Sequence, residues 1–357
     1  MAIHFHKLIV KDIRKETSDC VSIAFDIPSE LQNDFVFKQG QNITIRSTIN
    51  GEEIRRSYSI CSSPLQNELR IAVKKVDNGA FSSFANQELK KGDMLDVLPP
   101  TGTFFTEVKI TNKKNYVFFA AGSGITPVIS LIKTILLAEP ESQVTLVYGN
   151  KNVSSIIFKE ELEALKDKHL QRLRIYYVFT RERTEAEINY GRIDAEKCNQ
   201  FSMLIDFKLI DEFFICGPEE MIFNVKNFLE SKGVEGTKVH FELFTTPTRK
   251  NIKAYSDIKE KKGEGSEITV KSDGRSFNFK LDHDSNNILD AALARGADLP
   301  FSCKGGVCTT CKAKLIEGKV EMEVNYGLEP DEVKAGFILT CQSHPRSEKV
   351  VVDFDNK

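Results

Sequence analysis

Apolar and polar positions follow three rhythms along this chain. Up to about residue 108 the apolar positions alternate or gather in short β-rich runs, at 6–10, 20–25, 41–48 and 69–73. Pro28, Gly40, Asn50-Gly51 and Pro64 punctuate them. Short strands at this spacing predict a small antiparallel β-barrel over residues 1–108, with one helix at 82–88 opening just after Gly79. From about 114 strands and helices alternate. Strand runs at 116–120, 144–148, 174–180 and 212–216 intersperse with helical patterns at 128–137, 158–166 and 219–231, which predicts a doubly wound α/β sheet over 109–245. Residues 246–265 are polar, charged and closed by glycines, as a flexible linker is. The last stretch, 266–357, reads strand (267–270), strand (276–281), helix (288–295), loop, then strands near 312–316 and 350–354. That order fits an α+β module of the β-grasp type.

Composition narrows the function without naming it. With 357 residues, 41% of them hydrophobic, the chain is long enough for two or three separate cores. No run approaches the roughly 18 apolar residues of a membrane span. The formal net charge of −2 provides no basic field for nucleic acid. From residue 266 onward 12 basic residues face 15 acidic ones, so the C-terminal module is mildly acidic. The opening MAIHFHKLIV lacks an apolar signal stretch, which makes the cytoplasm the expected location.

Four C-terminal cysteines change the picture most. Cys303, Cys308 and Cys311 form C-x4-C-x2-C, and Cys341 follows after 29 intervening residues. This is the spacing of a plant-type [2Fe–2S] ferredoxin, in which three thiolates come from one tight loop and the fourth from elsewhere. Gly305 and Gly306 suit a loop that must curl around a cluster and aim N–H groups at its sulfurs. A zinc site is the alternative, since Cys308-x2-Cys311 has zinc-like spacing. Paired disulfides would need an oxidising compartment. Cys20, Cys61, Cys198 and Cys216 are scattered and read individually as small buried hydrophobes.

Further motifs precede the cluster. Arg56-Ser57-Tyr58-Ser59 offers a guanidinium for a diphosphate, a phenol ring and hydroxyls. Gly79-Ala-Phe-Ser82 opens a short helix whose free N–H groups can bind phosphate. Pro99-Pro100-Thr101-Gly102-Thr103-Phe104 marks a turn near the barrel's end. Gly122-Ser-Gly124-Ile-Thr126-Pro127 and Cys216-Gly217-Pro218 both join a strand to a helix, where doubly wound sheets bind nucleotides. The first lacks the third glycine of the dinucleotide fingerprint. The two turns together point to a nucleotide site more strongly than either alone.

These motifs, in this order and spacing, resemble the ferredoxin–NADP reductase superfamily over residues 1–245. With the C-terminal ferredoxin, the chain is similar to reductase subunits of bacterial multicomponent oxygenases. Among those it resembles the phenylacetyl-CoA epoxidase group, through Tyr148-Gly-Asn-Lys-Asn and the run from Ser155 to Leu165. The resemblance implies that Arg56 binds the FAD diphosphate, that Tyr58 contacts the isoalloxazine or ribityl, and that Ser59 lies near flavin N5. It assigns Ser82 to the FAD pyrophosphate and Gly122, Gly124 and Thr126 to the nicotinamide nucleotide. It places Cys216 near nicotinamide C4, where the alternative is a buried thiol before a turn. Phe244 is the expected aromatic beside the flavin, with Phe241 as a core residue or its rival. Thr180, Arg181 and Tyr190 resemble the stretch that NADP-using members place at the 2′-phosphate, and the Arg181 fork suits a phosphate dianion. NADPH is therefore the expected donor, with NADH the alternative.

Carrier stoichiometry then dictates the expected path. A nicotinamide delivers two electrons as hydride, a flavin can release them singly, and a [2Fe–2S] centre takes one at a time. The expected partner is an oxygenase. Rival readings are a reductase for another acceptor (another diiron oxygenase, a desaturase, a hybrid-cluster protein), a self-contained reductase of a small acceptor, and a zinc-bearing interaction module.

Overall fold

A computed structural model describes residues 4–244, 265–283 and 285–356. The expected linker at 246–265 lies outside the described residues except for Gly265, which opens a strand.

The first module is the expected barrel. Its strands are β1 (His6–Thr17), β2 (Cys20–Asp26), β3 (Asn42–Ile49), β4 (Glu52–Ser59), β5 (Leu69–Lys74) and β6 (Met94–Val97). They form an antiparallel sheet in the order β4-β3-β6-β1-β2-β5, which an Ile60–Ile71 bridge closes. Leu8, Val10, Ile23, Ile43, Ile45, Ile71 and Val97, all fully buried, fill it. The short helix α1 (Ala80–Gln87) begins two residues earlier than expected, with Gly79 as its N-cap. An added Cβ on Gly79 would lie 2.5 Å from the Ser82 hydroxyl, so a side chain here would displace that hydroxyl.

The second module is a five-stranded parallel sheet. It comprises β7 (Asn115–Ala121), β8 (Gln143–Asn150), β9 (Leu173–Phe179), β10 (Glu212–Gly217) and β11 (Val239–Leu243), in the order β11-β10-β7-β8-β9. Helices α2 (Ile125–Ala138), α3 (Lys159–Lys168), α4 (Ala195–Phe201) and α5 (Glu219–Ser231) connect the strands. Helix α2 is apolar nearly all round because it is covered on both sides. Its core includes the sheet residues Phe118, Tyr148 and Phe214 and the barrel residues Cys20, Cys61, Ala72 and Phe104. Barrel and sheet thus share this cluster at their seam, while the barrel interior keeps a core of its own. Ser130 reinforces the seam by donating to the Ser62 carbonyl at 2.6 Å, while the Ser63 and Thr134 hydroxyls lie 2.8 Å apart. Glu212 ties the barrel's exit to the sheet. Burial alone would raise its carboxyl, but hydrogen bonds from His240, Lys114 and Thr106 hold it at about 2.

The third module has β12 (Gly265–Ser272), β13 (Arg275–Asp282), α6 (Ile288–Leu293), β14 (Lys312–Glu317), β15 (Val320–Met322), α7 (Pro330–Lys334), β16 (Phe337–Leu339), β17 (Ser343–Pro345) and β18 (Lys349–Asp353). Its main sheet runs β13-β12-β18-β14-β16, and β15 pairs with β17. β12 and β18 are parallel at its centre while the flanking pairs are antiparallel, the β-grasp arrangement expected for this module. Among the described residues no helix is long and apolar enough to cross a membrane.

Candidate functional site

The cluster loop lies between α6 and β14, and its four thiols fall into two pairs. Cys303 and Cys308 each direct a backbone N–H to the other's sulfur, and Cys311 adjoins Cys341, 30 positions further along. In each pair one sulfur is drawn toward the thiolate by its neighbour, Cys308 in the first and Cys341 in the second. Two pairs suit one iron each of a binuclear cluster better than a single tetrahedral ion. Backbone N–H groups already point at sulfur, from Gly305 and Cys308 to Cys303 (3.3 and 3.4 Å) and from Cys303 to Cys308 (3.4 Å). Gln342 adds its amide to Cys341 at 3.5 Å. Lys304 and Thr309 take positive φ angles of 51° and 54°, uncommon for residues with a Cβ, and Gly306 takes 75°. The loop's curl is built for N–H···S contacts, and its donor set fits a [2Fe–2S] centre.

The cluster loop does not stand alone. A cavity of about 220 Å³ is walled by Ser57 and Ser59 of β4, Glu242 and Phe244 at the end of the parallel sheet, and the cluster residues Cys303 and Cys308. Ser59 is buried and donates to Glu242 Oε2 at 3.0 Å. Glu242 keeps partial solvent contact through the cavity but is otherwise enclosed by protein. Burial pushes its carboxyl up to about 8, against the opposing Ser59 hydrogen bond. Phe244 is 39% exposed at the cavity wall, whereas Phe241 packs with Phe223 and the α4–α5 core, so the two aromatics divide as site and core. Glu242 was not among the residues expected at the site. Its signal in the sequence is a lone carboxylate in the otherwise apolar run Phe241-Glu-Leu-Phe244.

Tyr58 lies on the barrel side of β4, its ring centroid 5.5 Å from Phe81 of α1. Arg56 is exposed and donates to the Arg55 carbonyl at 2.7 Å. Beside α1 a second cavity, of about 260 Å³, is lined by Thr48, Ile49 and Asn50 of the β3–β4 hairpin and by Ala80, Ser83, Phe84 and Glu88. The first-turn N–H groups of α1 have no intrahelical acceptor, which suits a phosphate. The two cavities and this helix end fit a flavin dinucleotide along β4. The Ser82 hydroxyl is buried within the same turn, accepting from Val76 N–H and donating to the Gly79 carbonyl.

At the nucleotide turns the two glycine motifs meet back to back. A Cβ on Gly124 would lie 2.0 Å from the Cys216 carbonyl oxygen, and one on Gly217 would lie 2.7 Å from the Met221 methyl. Gly122 has φ of 54° and accepts the Tyr148 hydroxyl at 2.9 Å. The buried Thr126 hydroxyl donates to the Ser123 carbonyl within its own turn. Cys216 is fully buried, with burial pushing its thiol well up, and the strand register pairs it with Glu242 of the cavity.

The corner beyond β8 and β9 is open. Arg181 is exposed, and its N–H donates to the Lys151 carbonyl. Thr180 is bonded to the Asn150 carbonyl, Arg183 lies over the Tyr190 ring at 4.5 Å, and Tyr190 bridges to Phe179. The neighbouring carboxylate, Glu182, is turned to the Val153 N–H. Cations and a ring gather here, and Glu187 lies 3.9 Å from the Arg183 guanidinium.

Fold and site together define a three-module reductase with flavin, nicotinamide-nucleotide and [2Fe–2S] domains. Models for an oxidoreductase FAD-binding domain, an oxidoreductase NAD-binding domain and a 2Fe-2S iron-sulfur cluster binding domain match residues 7–106, 118–227 and 270–346. One of the subunits of 1,2-phenylacetyl-CoA epoxidase from Escherichia coli (strain K12) is 44% identical, over 99% of this chain and 98% of its own. The ferredoxin reductase component of 3-ketosteroid-9-alpha-monooxygenase from Rhodococcus rhodochrous is 32% identical, over 97% and 96%. The solved structure of phthalate dioxygenase reductase superposes with a TM-score of 0.58 at 25% identity, covering 98% of both chains. The chain belongs to the ferredoxin–NADP reductase family, as a member with a C-terminal [2Fe–2S] ferredoxin domain.

Proposed function

We propose that this reductase draws electrons from NADPH and delivers them to a partner oxygenase of the phenylacetyl-CoA epoxidase kind. One observation carries the reading: the flavin strand β4, the end of the nucleotide sheet and the cluster loop wall a single cavity. The relatives named above are components of an epoxidase and a monooxygenase, which supports an oxygenase as partner. When bound, the cofactors supply hydride from the nucleotide, two-electron storage at the flavin and one-electron steps at the cluster.

The chain's own residues position these groups. Arg56 holds the FAD diphosphate with the N–H groups that follow Gly79, and Tyr58 gives the flavin an aromatic wall. Ser59 and Glu242 set polarity at the cavity floor, and Phe244 shields its mouth. Gly122, Gly124, Gly217 and Pro218 let the nucleotide approach the backbone. Thr180, Arg181 and Tyr190 form the 2′-phosphate corner, with Arg181 as its fork. Cys303, Cys308, Cys311 and Cys341 ligate the cluster. The domains divide at 108/109 and at a linker spanning 246–265, and the protein works in the cytoplasm.

Reconstitution tests the reading. Mixed with the oxygenase subunits of a phenylacetyl-CoA epoxidase, the reductase is expected to couple NADPH oxidation to epoxide formation, with kcat/KM at least about tenfold above that for NADH. Brisk cytochrome c reduction without epoxide would assign the protein to another acceptor. Equal use of NADH would remove the 2′-phosphate corner.

A further inference from the structure

Strand β4 presents Arg55, Ser57 and Ser59 at alternate positions, so the three side chains leave the same face. Each meets a different part of the site. Ser59 reaches Glu242, and Ser57 donates to the Ser302 hydroxyl at 2.9 Å. Arg55 donates to the Leu299 carbonyl at 3.2 Å, and its guanidinium lies 4.0 Å from the Phe301 ring centroid. Phe5 flanks the same guanidinium at 5.1 Å, and Glu53 accepts its Nε–H at 2.9 Å. Only 9% of the Arg55 side chain is exposed. Thr44, opposite Ser57 on β3, adds a hydroxyl 3.0 Å from Ser57 and 3.2 Å from Thr310.

We propose that Arg55 is a positioning residue that sets the register of the cluster loop on the flavin barrel. Phe301, Ser302 and Cys303 are consecutive, so a displacement of the Phe301 ring carries a cluster ligand with it. The hydroxyl contacts are neutral and individually weak. They align the loop but do not clamp it. The desolvated guanidinium combines a planar stack with a directed hydrogen bond, a pairing that lysine's point charge does not reproduce. Arg55 directly precedes the Arg56-Ser-Tyr-Ser motif, so one strand carries both the proposed flavin contacts and the contacts with the cluster loop.

This rests on the proposed electron path, and the test separates the two. Full-length protein loaded with FAD and cluster is compared with Arg55→Ala and Arg55→Lys. Hydrogen exchange of the amides of Leu299, Phe301, Ser302 and Cys303 is expected to quicken about tenfold in Arg55→Ala and less in Arg55→Lys. In anaerobic single turnovers, flavin-to-cluster transfer is expected to slow about tenfold or more in Arg55→Ala, while flavin reduction by NADPH keeps its rate. Arg55→Lys, the gentler change, carries the test if Arg55→Ala does not fold. Unchanged exchange and transfer would overturn the assignment, as would an equal loss in flavin reduction. A wild-type protein that reduces its flavin but never its cluster would overturn the electron path itself.

Discussion

The cluster loop and the 2′-phosphate corner both handle charge, yet they are built in opposite ways. Around the cluster, Cys308, Cys311 and Cys341 are buried, N–H groups already face sulfur, and two residues with side chains accept positive φ angles. At the corner, Arg181 and Arg183 stand in solvent, and their conformation is set by a stack on Tyr190 and by backbone bonds. The difference follows from what each site binds. Covalent ligation tolerates little error in distance, so the protein prepays the ordering of the loop. A phosphate dianion can be met by long side chains that order when it arrives.

If that contrast is right, damage at the cluster is total and damage at the corner is graded. Cys341→Ala should abolish the iron–sulfur absorbance and cut cytochrome c reduction by more than about a hundredfold, because its pair with Cys311 cannot hold an iron. Flavin absorbance and NADPH–ferricyanide activity should persist, since Cys341 lies outside the cavity shared with β4. A retained iron–sulfur spectrum would break the two-pair account.

Gly124→Ala tests a second prebuilt element, the back-to-back nucleotide turns. The added methyl would lie 2.0 Å from the Cys216 carbonyl oxygen, so one turn must move. A stability loss of about 1–3 kcal/mol and a fall of up to about a hundredfold in kcat/KM are expected, for NADPH and NADH alike. Thermal melts and steady-state kinetics check both.

Arg181→Ala probes the open corner. Loss of one charge-assisted hydrogen bond of about 1.5–3 kcal/mol should raise KM for NADPH roughly tenfold or more and leave NADH nearly unchanged. Equal effects on the two nucleotides would make the corner a solvated loop.

The smallest effect concerns Glu242. Its folded value of about 8 lies above the ordinary 4.5, so the folded state binds the proton more tightly than the unfolded chain between those values. Its stabilisation is therefore complete at low pH and is lost as pH rises through that window. Glu242→Gln should flatten the pH dependence of Tm by a few degrees between about pH 4.5 and 8. Superimposable curves for the two proteins would show that the carboxyl titrates normally.

What could be read from the sequence follows the same divide. Cysteine spacing identified the cluster because two irons impose a narrow geometry on chain positions. Strand and helix periodicity located α5 to the residue, because its apolar face repeats cleanly. By contrast β6 and β11 escaped, being short strands of four and five residues whose pairing is set by distant neighbours. Ser82, Thr126 and Cys216 were motif residues whose side chains turned inward: two satisfy their own turns, and the third fills a core shared by two modules. No local pattern distinguishes a hydroxyl aimed at a ligand from one that closes a turn. Glu242 and the contacts of Arg55 with Leu299 and Phe301 depend on segments far apart in the chain, and only the fold brings them together.

The central claim is that electrons pass from nucleotide to flavin to cluster within one chain, across the cavity where β4 meets the cluster loop. Anaerobic stopped-flow mixing of the oxidised protein with excess NADPH tests it most directly. The flavin band should bleach first and the iron–sulfur band second, at a rate independent of protein concentration. A cluster rate that rises in proportion to protein concentration would show that the ferredoxin domain is filled by another molecule, and the contact between β4 and the cluster loop would not be the route.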